Sequence, residues 1–321
     1  MRLGIAGSGM IVEDCLGAVA EADGVTPVAI CAREKSRDRA EALAARHGVG
    51  STVYDYDELL GRRDVDAVYV GLVNDLHYDY AKRALEAGKH AIVEKPFTAT
   101  LAEAEELASI ARSRGLFLFE AAPTLHIPLF RSVVERAAGI GRIGLVQCSY
   151  CQRSSRYDRY LSGDVAPAFD PAHAGGALRD LNVYNIHLAV RLLGLPRTAT
   201  YAARRGWNGV DTSGSALLGY DGASASCAAA KDADGPGFSL IVGESGWIRA
   251  DGSPNSLARA EIATPGGGVV ELRDESGLPR LTHEWMAFER MIREGRLDEC
   301  YGLLEHSLRV MKVLDILSRD L

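Results

Sequence analysis

The sequence predicts an α/β chain of two domains: a doubly wound parallel sheet covered by helices, then an α+β domain with a largely antiparallel sheet. Three observations carry that expectation. Short apolar runs alternate with helical patterns through the first third of the chain, and a glycine-rich turn follows the first run. Past residue 123 the rhythm changes to β-like segments punctuated by glycine and aspartate.

Taken in order, apolar runs occupy residues 3–6, 25–31, 67–73, 91–93 and 116–119. Between them lie stretches with helical spacing, such as AREKSRDRAEALAARHG and LAEAEELASIARSRG, so repeated βαβ units are expected. After the change of rhythm, a strand is expected over 145–153, then a loop, then one strong helix over 176–193. Several β-like segments follow between 198 and 272, with hairpin signals in GYDGAS and ADGSP, and two closing helices are expected at 283–294 and 301–319. The break falls near residue 122, which gives domains 1–122 and 123–321.

Composition narrows the function. A chain of 321 residues, 47% hydrophobic and 25% charged, can bury a sizeable core in two domains. The formal charge is −7 and no basic stretch interleaves with aromatics, so a small-molecule partner is expected and nucleic acid is not. No apolar run approaches the roughly 20 residues that span a bilayer. MRLGIAGSGM lacks a signal-peptide layout, so no membrane partner and a cytoplasmic location are expected. The six cysteines, at 15, 31, 148, 151, 227 and 300, read as free thiols. Cys148 and Cys151 form a CxxC within the strand-like QCSYCQ, where their side chains point to opposite faces, so no metal site is expected.

The opening strand runs into GIAGSGMIVEDCL, with Gly7, Gly9 and then Val12 at the third fingerprint position. The two glycines allow a tight turn and a close approach to a pyrophosphate, which would sit on the helix opened by Met10 and Ile11. Val12 departs from the usual small residue and leaves tight packing of that helix on the sheet open. At the end of the second strand the chain reads ICAREKSR. Arg33 stands where an NAD-selective site usually carries an acid, which favours the 2′-phosphate of NADP over NAD, with Glu34 as the competing acid.

A second motif is GKHAIVEKPF, residues 88–97, where Glu94 and Lys95 close an apolar strand ahead of Pro96. The Lys-Pro bond is a cis candidate. Together with Asn74 and His77 in VNDLHYDYAKRALEAGKH, with Glu120 and Ala121, and with GGALRDLNVYNIH, this resembles the glucose-fructose oxidoreductase, inositol dehydrogenase and rhizopine catabolism family (Gfo/Idh/MocA). The resemblance implies an N-terminal Rossmann domain and a C-terminal domain whose large open sheet mediates assembly into a homodimer or homotetramer. It also implies that Gly7, Gly9, Met10, Ile11, Arg33, Asn74, His77, Glu94 and Lys95 line the cofactor, with Lys95 beside the nicotinamide as a proton relay.

The helix expected from residue 176 carries the rest. At about 100° per residue, Asp180, Tyr184, His187 and Arg191 fall in a stripe about 60° wide between two apolar faces. The family pattern is commonly Asp-x-x-x-His; here Tyr184 takes the fourth position, so by resemblance it is the general acid/base and Asp180 orients substrate hydroxyls. His187 reads first as a satisfied core or cleft histidine; with Arg156 and Tyr160 it is also a candidate for the substrate pocket, with Arg153, Tyr157 and His173 nearby. Trp207, Trp247 and Trp285 are expected in the core. The activity so implied is NAD(P)-dependent hydride transfer at a hydroxyl or carbonyl carbon of a sugar, polyol or related cyclic compound. Redox-assisted elimination or glycoside cleavage with retained cofactor is the enzymatic alternative, and a non-catalytic cofactor-binding regulator the other.

Overall fold

In the computed structural model, which describes residues 1–321, the chain forms two compact units. The first comprises Met1–Pro123 and Leu278–Leu308, the second Thr124–Gly277 and Arg309–Leu321.

The first unit alternates strands and helices as expected: β1 (Arg2–Ala6), α1 (Met10–Val19), β2 (Thr26–Cys31), α2 (Arg37–His47), β3 (Thr52–Val53), α3 (Tyr56–Gly61), β4 (Ala67–Val70), α4 (His77–Glu86), β5 (His90–Glu94), α5 (Leu101–Arg114) and β6 (Leu118–Ala121). The strands pair in parallel in the order β3-β2-β1-β4-β5-β6. β4 and β6 are buried along their whole length and β5 at four of its five residues, which is why they read as continuous apolar runs. β3 is only two residues long and left no periodic signal. α5 starts on a reciprocal capping box between Thr100 and Glu103 and ends at Gly115 in the left-handed region.

The second unit begins with α6 (Pro128–Arg136), β7 (Ile143–Cys151) and the short α7 (Tyr157–Leu161). A π-helical turn over Leu178–Asn182 then runs directly into α8 (Val183–Leu193). Seven strands follow: β8 (Thr198–Arg205), β9 (Asp211–Tyr220), β10 (Ala223–Ala230), β11 (Phe238–Gly243), β12 (Gly246–Asp251), β13 (Arg259–Thr264) and β14 (Gly268–Arg273). With β7 they make one sheet, in the order β14-β13-β12-β11-β7-β10-β9-β8, antiparallel except where β10 lies beside β7. The β9–β10 hairpin closes through Asp221 and Gly222, as GYDGAS predicts. One sheet face packs inward through Val146, Ala225, Cys227, Ala229, Ile241 and Ile248. On the other, Leu217 is exposed and Leu145, Leu240 and Val242 are half-buried.

α9 (Thr282–Arg293) and α10 (Leu297–Ser318) close the chain. The single break expected near 122 does not describe them: residues 278–308 belong to the first unit. α9 carries an apolar stripe that the first unit needs. Trp285 meets the Tyr69 ring edge-on at 5.3 Å, and Phe288 stacks on Phe119 at 4.5 Å. All six cysteines are free, and Cys148 is buried while Cys151 is half-buried, as alternation along β7 requires. No helix is long and apolar enough to cross a membrane.

Candidate active site

In the first unit, β1 delivers the chain to Gly7 at φ +124, where a Cβ would collide with the carbonyl of Gly71. The Gly7 N–H donates to Cys31 O at 2.8 Å, and α1 begins at Met10 with Gly9 as its N-cap and no capping side chain. An uncapped helix start beside a tight glycine turn fits a dinucleotide pyrophosphate. Val12 is fully buried. The small residue that the fingerprint normally places on the helix is here just past the end of β4: a Cβ on Gly71 would lie 2.9 Å from Val12 Cγ2 and 2.8 Å from Tyr69 Cε1. Helix and strand therefore pack closely with the sizes exchanged.

At the tip beyond β2, Arg33 is exposed. Glu34, the competing acid, is held by Arg37, whose Nε–H and Nη2–H donate to its two oxygens at 2.8 and 2.9 Å. Arg37 in turn lies 3.8 Å over the Tyr54 ring.

β5 ends at the second motif, and the Lys95–Pro96 peptide is cis. Side chains alternate here. Glu94 turns inward and Lys95 remains half-buried at the surface. Glu94 Oε1 accepts from the Tyr69 hydroxyl at 2.7 Å and Oε2 from the Lys95 N–H at 3.2 Å. Burial pushes the Glu94 carboxyl above its ordinary value, and the Lys95 charge opposes that. His77 is fully buried, with Nδ1 2.9 Å from Pro96 O and Nε2 3.2 Å from Leu72 O, and burial lowers its proton affinity. Glu94 and His77, expected to line the cofactor, are both buried and bonded to the backbone of this turn. Asn74 is half-buried at the start of the turn that leads to His77. Sequence reasoning missed Tyr69 and also Glu284 of α9, which is 1% exposed. Burial holds the Glu284 carboxyl well above its ordinary value, with Glu94 adding to the effect and Arg280 opposing it.

In the second unit the helix expected over 176–193 exists, but its first five residues are π-helical. Gly176, at φ +118, leaves room for the Asp211 carboxylate that a Cβ would strike. Asp211 Oδ2 accepts from the Leu178 N–H at 2.7 Å and from the Tyr201 hydroxyl at 2.8 Å, so a buried acid from β9 starts the helix. Asp180 rides on the π-turn with its side chain one-third exposed and ion-pairs through Oδ2 with Lys231 Nζ at 2.6 Å. Tyr184 is buried on the first turn of α8, its ring 5.9 Å from that of Tyr150.

The polar stripe is not a surface. α8 is buried at every residue from Val183 to Val190, so His187 is enclosed as Tyr184 is, and Arg191 is exposed at the far end. Tyr160, the other buried candidate, is 1% exposed, donates to Asn208 Oδ1 at 2.8 Å, and stacks between Phe169 and Trp207 at 5.0 and 5.4 Å. Trp207, expected in the core, is exposed on the outer side of that stack, whereas Trp285 is in the core and Trp247 is half-buried. Arg156 is half-buried at the start of α7. Arg153 pairs with Asp158 at 2.7 Å, and His173 is half-buried in the loop before the π-turn.

Residues 1–121 match the oxidoreductase family with NAD-binding Rossmann fold, and residues 132–249 match the GFO/IDH/MocA C-terminal domain. The chain is 32% identical over 315 residues to scyllo-inositol 2-dehydrogenase (NADP(+)) of Bacillus subtilis, covering 98% of this chain and 95% of the relative. It is 30% identical over 328 residues to D-xylose 1-dehydrogenase (NADP(+)) 2 of Haloferax volcanii, with 98% and 95% covered. Among solved structures, a 3-ketoreductase from Actinomadura kijaniata in complex with NADP and TDP-benzene superposes with a TM-score of 0.86 at 28% identity, covering 100% of this chain and 97% of that one.

Proposed function

The chain belongs to the GFO/IDH/MocA oxidoreductase family and is an NAD(P)-dependent oxidoreductase, and on that premise we propose that it oxidises a secondary hydroxyl, or reduces the matching ketone, on a sugar, polyol or related ring, using NADP. Bound NADP supplies the hydride acceptor or donor at its nicotinamide. The chain supplies the rest. The Gly7–Gly9 turn and the start of α1 hold the pyrophosphate, and Arg33 takes the 2′-phosphate while Arg37 occupies Glu34. Tyr184 gives or takes the hydroxyl proton and Asp180 accepts a hydrogen bond from a neighbouring hydroxyl, and Lys95 on the cis-proline turn is a further proton-handling group.

The observation that carries the reading is Asp180 on the π-turn, an ionised acceptor held at 2.6 Å by Lys231 and still one-third exposed, one turn ahead of Tyr184. An ionised carboxylate accepts hydrogen bonds and donates none, so it suits a hydroxyl-bearing ligand. The names of the relatives, inositol and xylose dehydrogenases among them, support the substrate class. The test is a panel of sugars, polyols, dihydrodiols and keto sugars followed by absorbance of the reduced nicotinamide. Turnover with at least one ring polyol or keto sugar is expected. Cofactor binding with no turnover across the panel would make the protein a regulator, and product without released reduced cofactor would point to redox-assisted elimination. We place the second unit's exposed sheet face in a homodimer or homotetramer.

A further inference from the structure

We propose that Lys231, on the strand side of the second unit, is a positioning residue that sets substrate specificity: it keeps Asp180 an aimed anion and thereby selects uncharged, hydroxyl-bearing rings. This rests on the reading of Asp180 as the substrate-orienting group. Lys231 is 1% exposed, and a buried ammonium is costly unless its donors are matched. They are: Nζ donates to Asp180 Oδ2 at 2.6 Å and to Ala168 O at 2.7 Å, and it lies 4.6 Å above the Phe169 ring. Its backbone is fixed on both sides. The Lys231 N–H donates to Thr212 O at 2.8 Å, and Lys231 O accepts from the Ser154 N–H at 2.9 Å. Three segments distant in sequence, the end of β10, the loop at 168–169 and the π-turn, therefore meet at one charge.

The two ends of the pair differ in exposure. Side-chain exposure is 2% for Lys231 and 33% for Asp180. Here the cation is enclosed and the anion opens outward, so the negative charge is presented while its counter-charge cannot leave. A ligand meeting Asp180 must donate a hydrogen bond, which a ring hydroxyl does and a substrate carboxylate does not.

The experiment compares Lys231→Met, Asp180→Asn and the double variant with wild type. It uses the ring substrate selected by the panel and its monodeoxy analogues, and also follows NADPH affinity and Tm. Lys231→Met is expected to raise KM about ten- to hundredfold, as loss of a charge-assisted hydrogen bond does, with a smaller change in kcat and unchanged NADPH affinity. One deoxy analogue, lacking the hydroxyl that meets Asp180, should show none of this loss. The double variant should be no worse than Asp180→Asn alone. Should Lys231→Met fail to fold, Lys231→Gln, which keeps amide donors without the charge, gives the same comparison. If Asp180→Asn raises KM and the Lys231 variant does not, or if the Lys231 loss is equal for the parent and every deoxy analogue, the inference is overturned. If Asp180→Asn leaves every substrate unaffected, the site reading itself fails and takes the inference with it.

Discussion

The Tyr69 hydroxyl donates to Glu94 Oε1 at 2.7 Å beneath the cis-proline turn, so the glutamate of the EKP motif faces the core. Its charge in turn raises the Glu284 carboxyl of α9, and burial is the largest cause that lifts each of the two above its ordinary value.

The sign of the resulting pH dependence follows from that direction. A carboxyl whose folded value is raised binds its proton more tightly in the folded state, so its contribution to stability is full below the ordinary glutamate value of about 4.3 and is lost as pH rises toward the raised value. Glu284→Gln removes that loss. Its Tm should exceed that of wild type at pH 8 by at least about 2 °C, the shift that about 1 kcal/mol gives in a domain of this size, and the gain should shrink toward pH 5. Calorimetry at the two pH values checks it, and equal gains would mean that Glu284 titrates normally.

Val12 and Gly71 exchange sizes across the α1–β4 contact. Gly71→Ala should destabilise by about 1 to 3 kcal/mol through overpacking and lower NADPH affinity with it. Adding Val12→Ala should recover much of the loss. Denaturant titration of the single and double variants decides, since additive effects would show that the contact is not shared.

Arg33→Ala should weaken NADPH binding by about 1.5 to 3 kcal/mol, the value of a charge-assisted phosphate contact, and NADH binding far less. Fluorescence titration with both cofactors measures this. Equal losses would remove Arg33 from the 2′-phosphate.

Lys95→Ala and Tyr184→Phe should each lower turnover by about 10² to 10⁴-fold while NADPH affinity stays nearly intact. If both serve one proton relay, the double variant should be little slower than either single variant. Stopped-flow turnover with the panel's substrate tests it, and multiplied losses would assign the residues to separate steps.

Leu217 is 57% exposed on the open sheet face. In a homo-oligomer built on that face, Leu217→Arg should shift the particle mass toward monomer in light scattering at micromolar concentration. A wild-type monomer under those conditions would end the assembly proposal.

Period-two and helical repeats reported which side of each element meets its neighbours, and that was enough for the parallel sheet and the change of rhythm past residue 123, while short motifs marked the glycine turn and the cis-proline turn. Those signals are local. The rest depends on contacts between residues far apart in the chain, which periodicity does not encode. Lys231 meets Asp180 from 51 positions away, and α9 returns from residue 282 to cover Tyr69 and Phe119. The inward turn of Glu94 depends on a partner 25 residues earlier. The helix over 176–193 departs from its pattern for the same reason: its polar stripe is enclosed as far as His187, and off the stripe Asn182 and Asn185 meet strand carbonyls, donating to Cys227 O at 2.9 Å and Ala228 O at 3.0 Å. A side chain's chemistry is written in the sequence, whereas whether it faces a ligand or a buried partner is decided by the desolvation and pairing that only the folded chain provides.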